Sequence, residues 1–266
     1  MPGSDYEELE RRWKQLRRVQ DITVREVACI GSARTLLVAE VGDVRLACVS
    51  IAAGIHGDEP AGPWALLNIV ESGLLDAAFS YRIWPCINPT GFVVHARANA
   101  DATDINRSFT GAGGAPESKA IITATRDRRF AASLDLHEDL EAGGFYCYEP
   151  ERADEGLIGG QVVAALREAG LPVQELTPQF DLGYPSDADH LRRLESGHVI
   201  VDLAQELAYF KGLPFSLYMA KRAARRVLTL ESPATRPWNA RLSIHRVAVV
   251  AALGALAKVS LQCAPN

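Results

Sequence analysis

Apolar positions along the chain keep two different rhythms, and the switches between them mark out its elements. Leu9, Trp13 and Leu16 recur four and three residues apart in an otherwise charged stretch, which predicts a short amphipathic helix over residues 6–18. Two strand-like runs follow, Ile22–Ile30 and Thr35–Val41, and Gly42-Asp43 reads as a hairpin turn into the next run. That run, Val44–Ala53, is nearly continuous in apolar residues, the pattern of a strand covered on both faces. It empties into Gly54-Ile55-His56-Gly57-Asp58-Glu59-Pro60. Pro60 and Pro63 suit a helix start near residues 62–72, because a missing N–H costs nothing in a first turn.

The alternation then repeats. Tyr81–Ile87 reads as a strand ending at Asn88-Pro89-Thr90-Gly91, a turn signature, and Pro116–Thr125 as a helix. Ala132–Leu136 is a short buried strand that ends at His137, Gly156–Glu168 a helix, and Arg226–Leu230 a buried strand that ends at Glu231. An apolar-faced helix over 244–260 closes the chain. Strands alternating with helices predict a single α/β domain, with a mixed, mostly parallel central sheet and helices on both faces. Residues 1–20 are expected to form an N-terminal helical extension and 21–266 the domain proper. His56, Glu59, His137 and Glu231 each follow a predicted buried strand, and in open α/β sheets ligands bind beyond the carboxyl ends of the strands.

Composition narrows the class. The 266 residues carry a formal net charge of −5, which argues against a nucleic-acid partner, since such proteins usually present a basic face. Cys29, Cys48, Cys86, Cys147 and Cys263 are odd in number, with no CxxC pair, so no disulfide framework or cysteine metal site is indicated. The N-terminus lacks the apolar core of a signal peptide, and the apolar run Val247–Leu256 is too short to span a bilayer. A cytoplasmic protein with no membrane partner is expected.

The strand-end residues suggest chemistry. A histidine and a glutamate three positions apart, His56 and Glu59, can turn toward one point, and zinc accepts imidazole nitrogen and carboxylate oxygen together. His137 as a third ligand would leave a fourth position open for water, the arrangement of a catalytic site. Taken singly, His-x-x-Glu pairs are common in solvated loops. The remaining histidines, 95, 190, 198 and 245, have no comparable setting.

Between the first pair and His137 stand Asn88-Pro89-Thr90-Gly91-Phe92, then Arg97, then Asp104-Ile105-Asn106-Arg107-Ser108-Phe109. In this order the chain, from about residue 50 to 235, resembles the zinc carboxypeptidase family of metallopeptidases. The resemblance implies one zinc ion on His56, Glu59 and His137, and Arg97 polarising the scissile carbonyl. It also implies Asn106 and Arg107 gripping a terminal carboxylate, with Glu231 shuttling a proton from zinc-bound water to the leaving amine. Bidentate guanidinium geometry and a carboxylate base beside a metal suit those roles. Thr90 and Ser108 depart from the family's usual aspartate and asparagine, and neither is a ligand.

Other departures limit the substrate. Glu138-Asp139-Leu140-Glu141 after His137 form an acidic cluster that either binds a substrate ammonium group or faces solvent. Tyr209 and Tyr218 are the candidates for the mobile tyrosine of the family, and neither lies in a recognisable motif. The run from Arg97 to Arg107 is similar to that of small bacterial members that cleave murein peptides next to diaminopimelate. The succinylglutamate desuccinylase/aspartoacylase branch shares the His-Gly-x-Glu and Asn-Arg motifs, but usually adds a β-rich domain where only 35 residues follow Glu231. The expected substrate is therefore a small peptide or an acylated amino acid. A zinc carboxypeptidase or peptide amidase leads, an N-acyl amino acid deacylase is the alternative, and a non-catalytic binding protein on the same fold is the rival of another class. The specificity pocket is expected between about residues 170 and 225.

Overall fold

The computed structural model describes residues 5–19, 21–31, 34–110, 113–152, 155–178, 180 and 192–262. In chain order its elements are α1 (Tyr6–Gln15), β1 (Ile22–Ile30), β2 (Arg34–Val41), β3 (Cys48–Ala53), α2 (Ala61–Glu71), β4 (Ser80–Trp84) and α3 (Pro89–Val94). They continue with α4 (Pro116–Thr125), β5 (Phe130–Asp139), β6 (Tyr146–Glu151), α5 (Gly159–Glu168), β7 (Arg192–Glu195) and β8 (His198–Asp202). The last are α6 (Leu203–Tyr209), α7 (Phe215–Arg222), β9 (Ala224–Pro233) and α8 (Trp238–Gln262). His190 and Cys263 lie outside the described residues, as does part of the expected specificity region.

One sheet runs through the molecule in the order β1-β2-β4-β3-β5-β9-β6-β8-β7. Its centre, β4-β3-β5-β9, is parallel, and antiparallel pairs flank it: β1 with β2, β2 with β4, β6 with β9, and β7 with β8. Alternation along the central strands feeds two cores. Val49, Ile51, Ala53, Leu134, Leu136, Leu228 and Leu230 pack beneath α1, α2, α5 and α8. Ala52, Phe130 and Val227 pack on the opposite face with Ile121 of α4 and with Phe215 and Met219 of α7. Helices therefore cover both faces. α1 starts where Asp5 accepts a hydrogen bond from the Glu8 N–H, and its Leu9 and Trp13 are buried in the first core.

Several local expectations change. Gly42-Asp43 does not join two paired strands: β4 lies between β2 and β3, and Val44 is 85% exposed, so β3 begins only at Cys48. A continuous apolar run could not reveal which strand would insert beside it. Asn88 is not a turn residue but the cap of α3, its side chain accepting from the Gly91 N–H at 2.8 Å. β5 and β9 run past the residues expected to end them, because their ladder pairs His137 with Glu231 and continues to Asp139 and Pro233. α8 starts at Trp238, well before the apolar run, so Trp238–Val259 is long and apolar enough by length and composition to cross a membrane. Its inner face, including Ile244, Ala248 and Leu253, is buried in the first core.

His245 lies on that face, fully buried, with no hydrogen-bond partner for either ring nitrogen among the described residues. Burial, with help from the charge of Arg241, depresses its pKa to about 3. The neutral ring is the form that folds. Its contribution is intact above the unfolded value near 6.5 and is lost as pH falls from there toward 3. Replacing His245 by Leu should therefore shift stability in the variant's favour by about 3 kcal/mol between pH 7.5 and pH 4. Thermal or urea unfolding of both proteins at the two pH values measures the difference, and parallel profiles would contradict it.

Candidate metal centre

The carboxyl ends of β3, β5 and β9 open into a cavity of about 480 Å3 lined by His56, Glu59, Arg97, Asn106, Arg107, His137 and Glu231. All seven residues singled out in the sequence are thus brought together. The loop after β3 carries His56 and Glu59. Gly54 turns it in the left-handed region at φ 63°, while Gly57 has a different reason to be glycine. A Cβ on Gly57 would stand 2.1 Å from the Gly91 carbonyl carbon and 2.3 Å from the Phe92 nitrogen, so the loop packs backbone against backbone on α3.

His56, Glu59 and His137 are buried, and their candidate ligand atoms all lie within 4.8 Å of one another, a group able to hold a metal ion. Both imidazoles turn Nδ1 to the same carboxylate: His56 Nδ1 is 2.5 Å from Glu59 Oε1, and His137 Nδ1 is 2.9 Å from Glu59 Oε2. The Glu138 N–H donates to Glu59 Oε2 at 3.1 Å. Behind each ring stands a second carboxylate. His137 Nε2 is 3.0 Å from Asp135 Oδ2, and His56 Nε2 is 3.6 Å from Asp104 Oδ1. Metal-ligating histidines are commonly oriented as His137 is, the nitrogen not used for the metal being held by a carboxylate, whereas Asp104 approaches His56 only to ion-pair distance. The donor set and its supports fit a divalent metal.

The other residues surround that cluster. Glu231 stands directly opposite His137 on one side and Tyr146 on the other in the strand registers. Arg97 is half exposed; its Nε is 3.2 Å from Asp104 Oδ2 and its Nη1 is 3.4 Å from His56 Nδ1. Asn106 is buried and accepts from the Phe215 N–H with Oδ1 at 2.9 Å, which ties it to the start of α7. Arg107 stacks over Phe210, 5.4 Å from the ring centre, and donates from Nη1 to the Asn106 carbonyl at 2.8 Å. Thr90 and Ser108 have local duties: Thr90 Oγ1 accepts from Ala100 N–H, and Ser108 Oγ donates to the Ile105 carbonyl.

The acidic cluster divides. Glu138 points to the other face of β5 and pairs with Arg241, Asp139 accepts from the Tyr146 hydroxyl at 2.7 Å, and Glu141 is exposed. Neither Tyr209 nor Tyr218 lines the cavity. Tyr218 is buried against Phe109 with its hydroxyl 2.9 Å from Thr125 Oγ1. Tyr146, Tyr148 and Glu206 line the cavity instead. Asp135 was available to sequence reasoning, since it stands two residues before His137 and so on the same face of a strand. Tyr146 and Glu206 carried no such signal, because the topology alone brings them in, while Asp104 stood in the motif with Asn106 and Arg107 without being given a role.

Residues 46–174 match the family described as succinylglutamate desuccinylase/aspartoacylase catalytic domain. Carboxypeptidase SOL1 from Arabidopsis thaliana is 34% identical over 103 residues, a stretch covering 31% of this chain and 21% of that protein, so about a fifth of the relative's length is matched. A crystal structure of a candidate metallopeptidase from Shewanella amazonensis SB2B superposes with a TM-score of 0.76 at 21% identity, over 96% of this chain and 94% of that one. Metallo-carboxypeptidase from Burkholderia cenocepacia gives 0.67 at 17% identity over 95% and 69%. Carboxypeptidase A from Helicoverpa armigera gives 0.61 at 18% over 96% and 72%. The chain has the zinc carboxypeptidase-like fold.

Electrostatics at the centre are strongly cooperative. Burial alone would raise Glu59, yet the two imidazoles hold it well below the usual carboxylate range. Burial likewise opposes charge on His137, and Asp135 and Glu59 together raise it well above its ordinary value. Glu231 behaves oppositely. Although its surface opens onto the cavity, it is ringed by protein, and burial, reinforced by Glu59 and Asp139, pushes it up to about 8 against the pull of His137. In metal-free protein this raised value means that Glu231 costs nothing below the unfolded value near 4.5 and destabilises increasingly as pH climbs toward 8. Glu231→Gln should therefore stabilise the metal-free protein by about 2–4 kcal/mol at pH 9 and much less at pH 5. Equal melting shifts at both pH values would contradict this.

Proposed function

We propose that the chain is a zinc-dependent hydrolase that cleaves an amide or peptide bond in a small carboxylate-bearing substrate, as a metallocarboxypeptidase or peptide amidase does. The observation that carries this reading is the convergence of both Nδ1 atoms on the Glu59 carboxylate, each ring backed by a further carboxylate, in the cavity that also holds Glu231 and Arg107. His56, Glu59 and His137 would hold the ion, and two imidazoles with one carboxylate are a donor set that zinc takes in catalytic sites. Zinc there supplies a Lewis acid that makes a water acidic near neutral pH.

The chain's own residues do the rest. Glu231, at the end of β9 and lining the cavity, takes a proton on a carboxylate oxygen and returns it to the leaving amine nitrogen. Arg97, beside His56, offers its guanidinium to the oxygen that gains negative charge as the carbonyl is attacked. Arg107 has its fork partly committed to the Asn106 carbonyl and stacked on Phe210, which fixes its direction for a substrate carboxylate. With Oδ1 of Asn106 engaged by Phe215, its Nδ2 is the atom available to the same carboxylate.

The match of residues 46–174 to the desuccinylase/aspartoacylase catalytic domain favours a second reading, an N-acyl amino acid deacylase with the same centre. A substrate panel separates the two. Release of a C-terminal amino acid from peptides, abolished when the terminal carboxylate is amidated, supports the first. Release of acetate or succinate from acylated amino acids, with peptides untouched, supports the second. Tight binding without turnover across the panel would instead indicate a binding protein. For either hydrolase, Glu231→Gln should keep one zinc per chain while kcat falls by about 10²–10⁴-fold, and Arg107→Ala should act mainly on KM. A purified protein without zinc, or an unchanged rate in Glu231→Gln, would sink the mechanism.

A further inference from the structure

Glu138 follows His137 on β5, so its side chain projects from the opposite face of the sheet. It is 5% exposed, yet it is a carboxylate, and its oxygens are fully occupied. Arg241 of α8 grips it with both arms of the fork, Nε to Oε1 at 2.6 Å and Nη2 to Oε2 at 2.7 Å. Oε2 also accepts from the Ala61 N–H at 2.7 Å, and Oε1 lies 3.4 Å from the Ser232 hydroxyl.

Each of these partners adjoins the centre. Ala61 opens α2 immediately after the loop that carries His56 and Glu59, and Ser232 follows Glu231. The Glu138 N–H itself holds Glu59 Oε2. Trp238 lies against the outer side of the fork, its ring centre 5.2 Å from the Arg241 guanidinium carbon. One carboxylate therefore joins the strand bearing His137, the loop bearing the other two donors, the strand bearing Glu231 and the last helix of the chain.

We infer that the Arg241–Glu138 pair is a positioning clamp for the metal centre, setting the loop of His56 and Glu59 against the strand of His137. The inference rests on the zinc-site reading above. A bidentate pair is stiffer than a single-point contact, so the clamp fixes direction as well as distance. A pair that only secured α8 would affect stability and leave metal affinity alone.

Zinc affinity by competition with a chelator, read beside the melting temperature of the metal-free protein, separates the two roles. Arg241→Met should weaken zinc binding by about 10–100-fold, the range seen when the supports of metal ligands are removed. Leu253→Ala, elsewhere in the buried face of α8, should lower the melting temperature while keeping zinc affinity within about twofold. Arg241→Lys, which keeps the charge but not the fork, should fall between wild type and Arg241→Met. Arg241→Met with Glu138→Gln should lose no more than the worse single variant, as expected of two members of one unit. Wild-type zinc affinity in Arg241→Met, or in Arg241→Lys should Arg241→Met not fold, would overturn the clamp alone. A wild-type protein that takes up no zinc would overturn the metal-site reading and the clamp with it.

Discussion

A carboxylate buried between two imidazoles is the constraint on which the centre depends. Glu59 has left water, and a buried charge is tolerated only when it is paired and hydrogen-bonded. Both Nδ1 atoms and the Glu138 N–H meet that need; the His137 ring is then held from behind by Asp135, while Asp104 stands 3.6 Å from His56 Nε2 as a nearby charge. The arrangement has a geometric price: the loop of His56 must approach α3 so closely that Gly57 cannot carry a side chain. Sheet order, loop glycines and the capped start of α2 all serve to bring that one carboxylate between two rings from distant parts of the chain.

The same constraint separates the roles of the acidic groups. Glu59 is held ionised by the rings, while Glu231, one register position across from His137, is pushed toward its protonated form. Two glutamates in one cavity thus have opposite preferences, and such divergence is how a site provides both a fixed negative charge and an exchangeable proton. Glu138 represents a third outcome. Its carboxylate oxygens are engaged by Arg241, although the residue still borders the cavity.

Much of this was legible in the sequence, for identifiable reasons. β1 and α4 match their expected bounds, since clear turn or proline signals bracket their periodic runs. His56, Glu59, His137 and Glu231 meet because each lies at or just beyond the end of a central strand, and parallel strands deliver their carboxyl ends to one edge; Arg97, Asn106 and Arg107 join them from the connection between α3 and α4. What escaped depended on pairing across the chain. The insertion of β4 between β2 and β3 cancelled the expected hairpin, and the ladder of β5 with β9 carried His137 and Glu231 inside strands rather than after them. Tyr146, which no local pattern marked out, lies on β6, where register with β9 sets it beside Glu231. Local pattern cannot report a neighbour that topology chooses.

On the proposed function, His56, Glu59 and His137 hold one metal ion through Nδ1, a carboxylate oxygen and Nδ1. Anomalous diffraction at the zinc absorption edge, from crystals of zinc-loaded protein, tests it most directly. A single strong peak per chain is expected among His56 Nδ1, the Glu59 carboxylate and His137 Nδ1, with Asp135 still on His137 Nε2. An absence of density there, or a peak held by other residues, would contradict it.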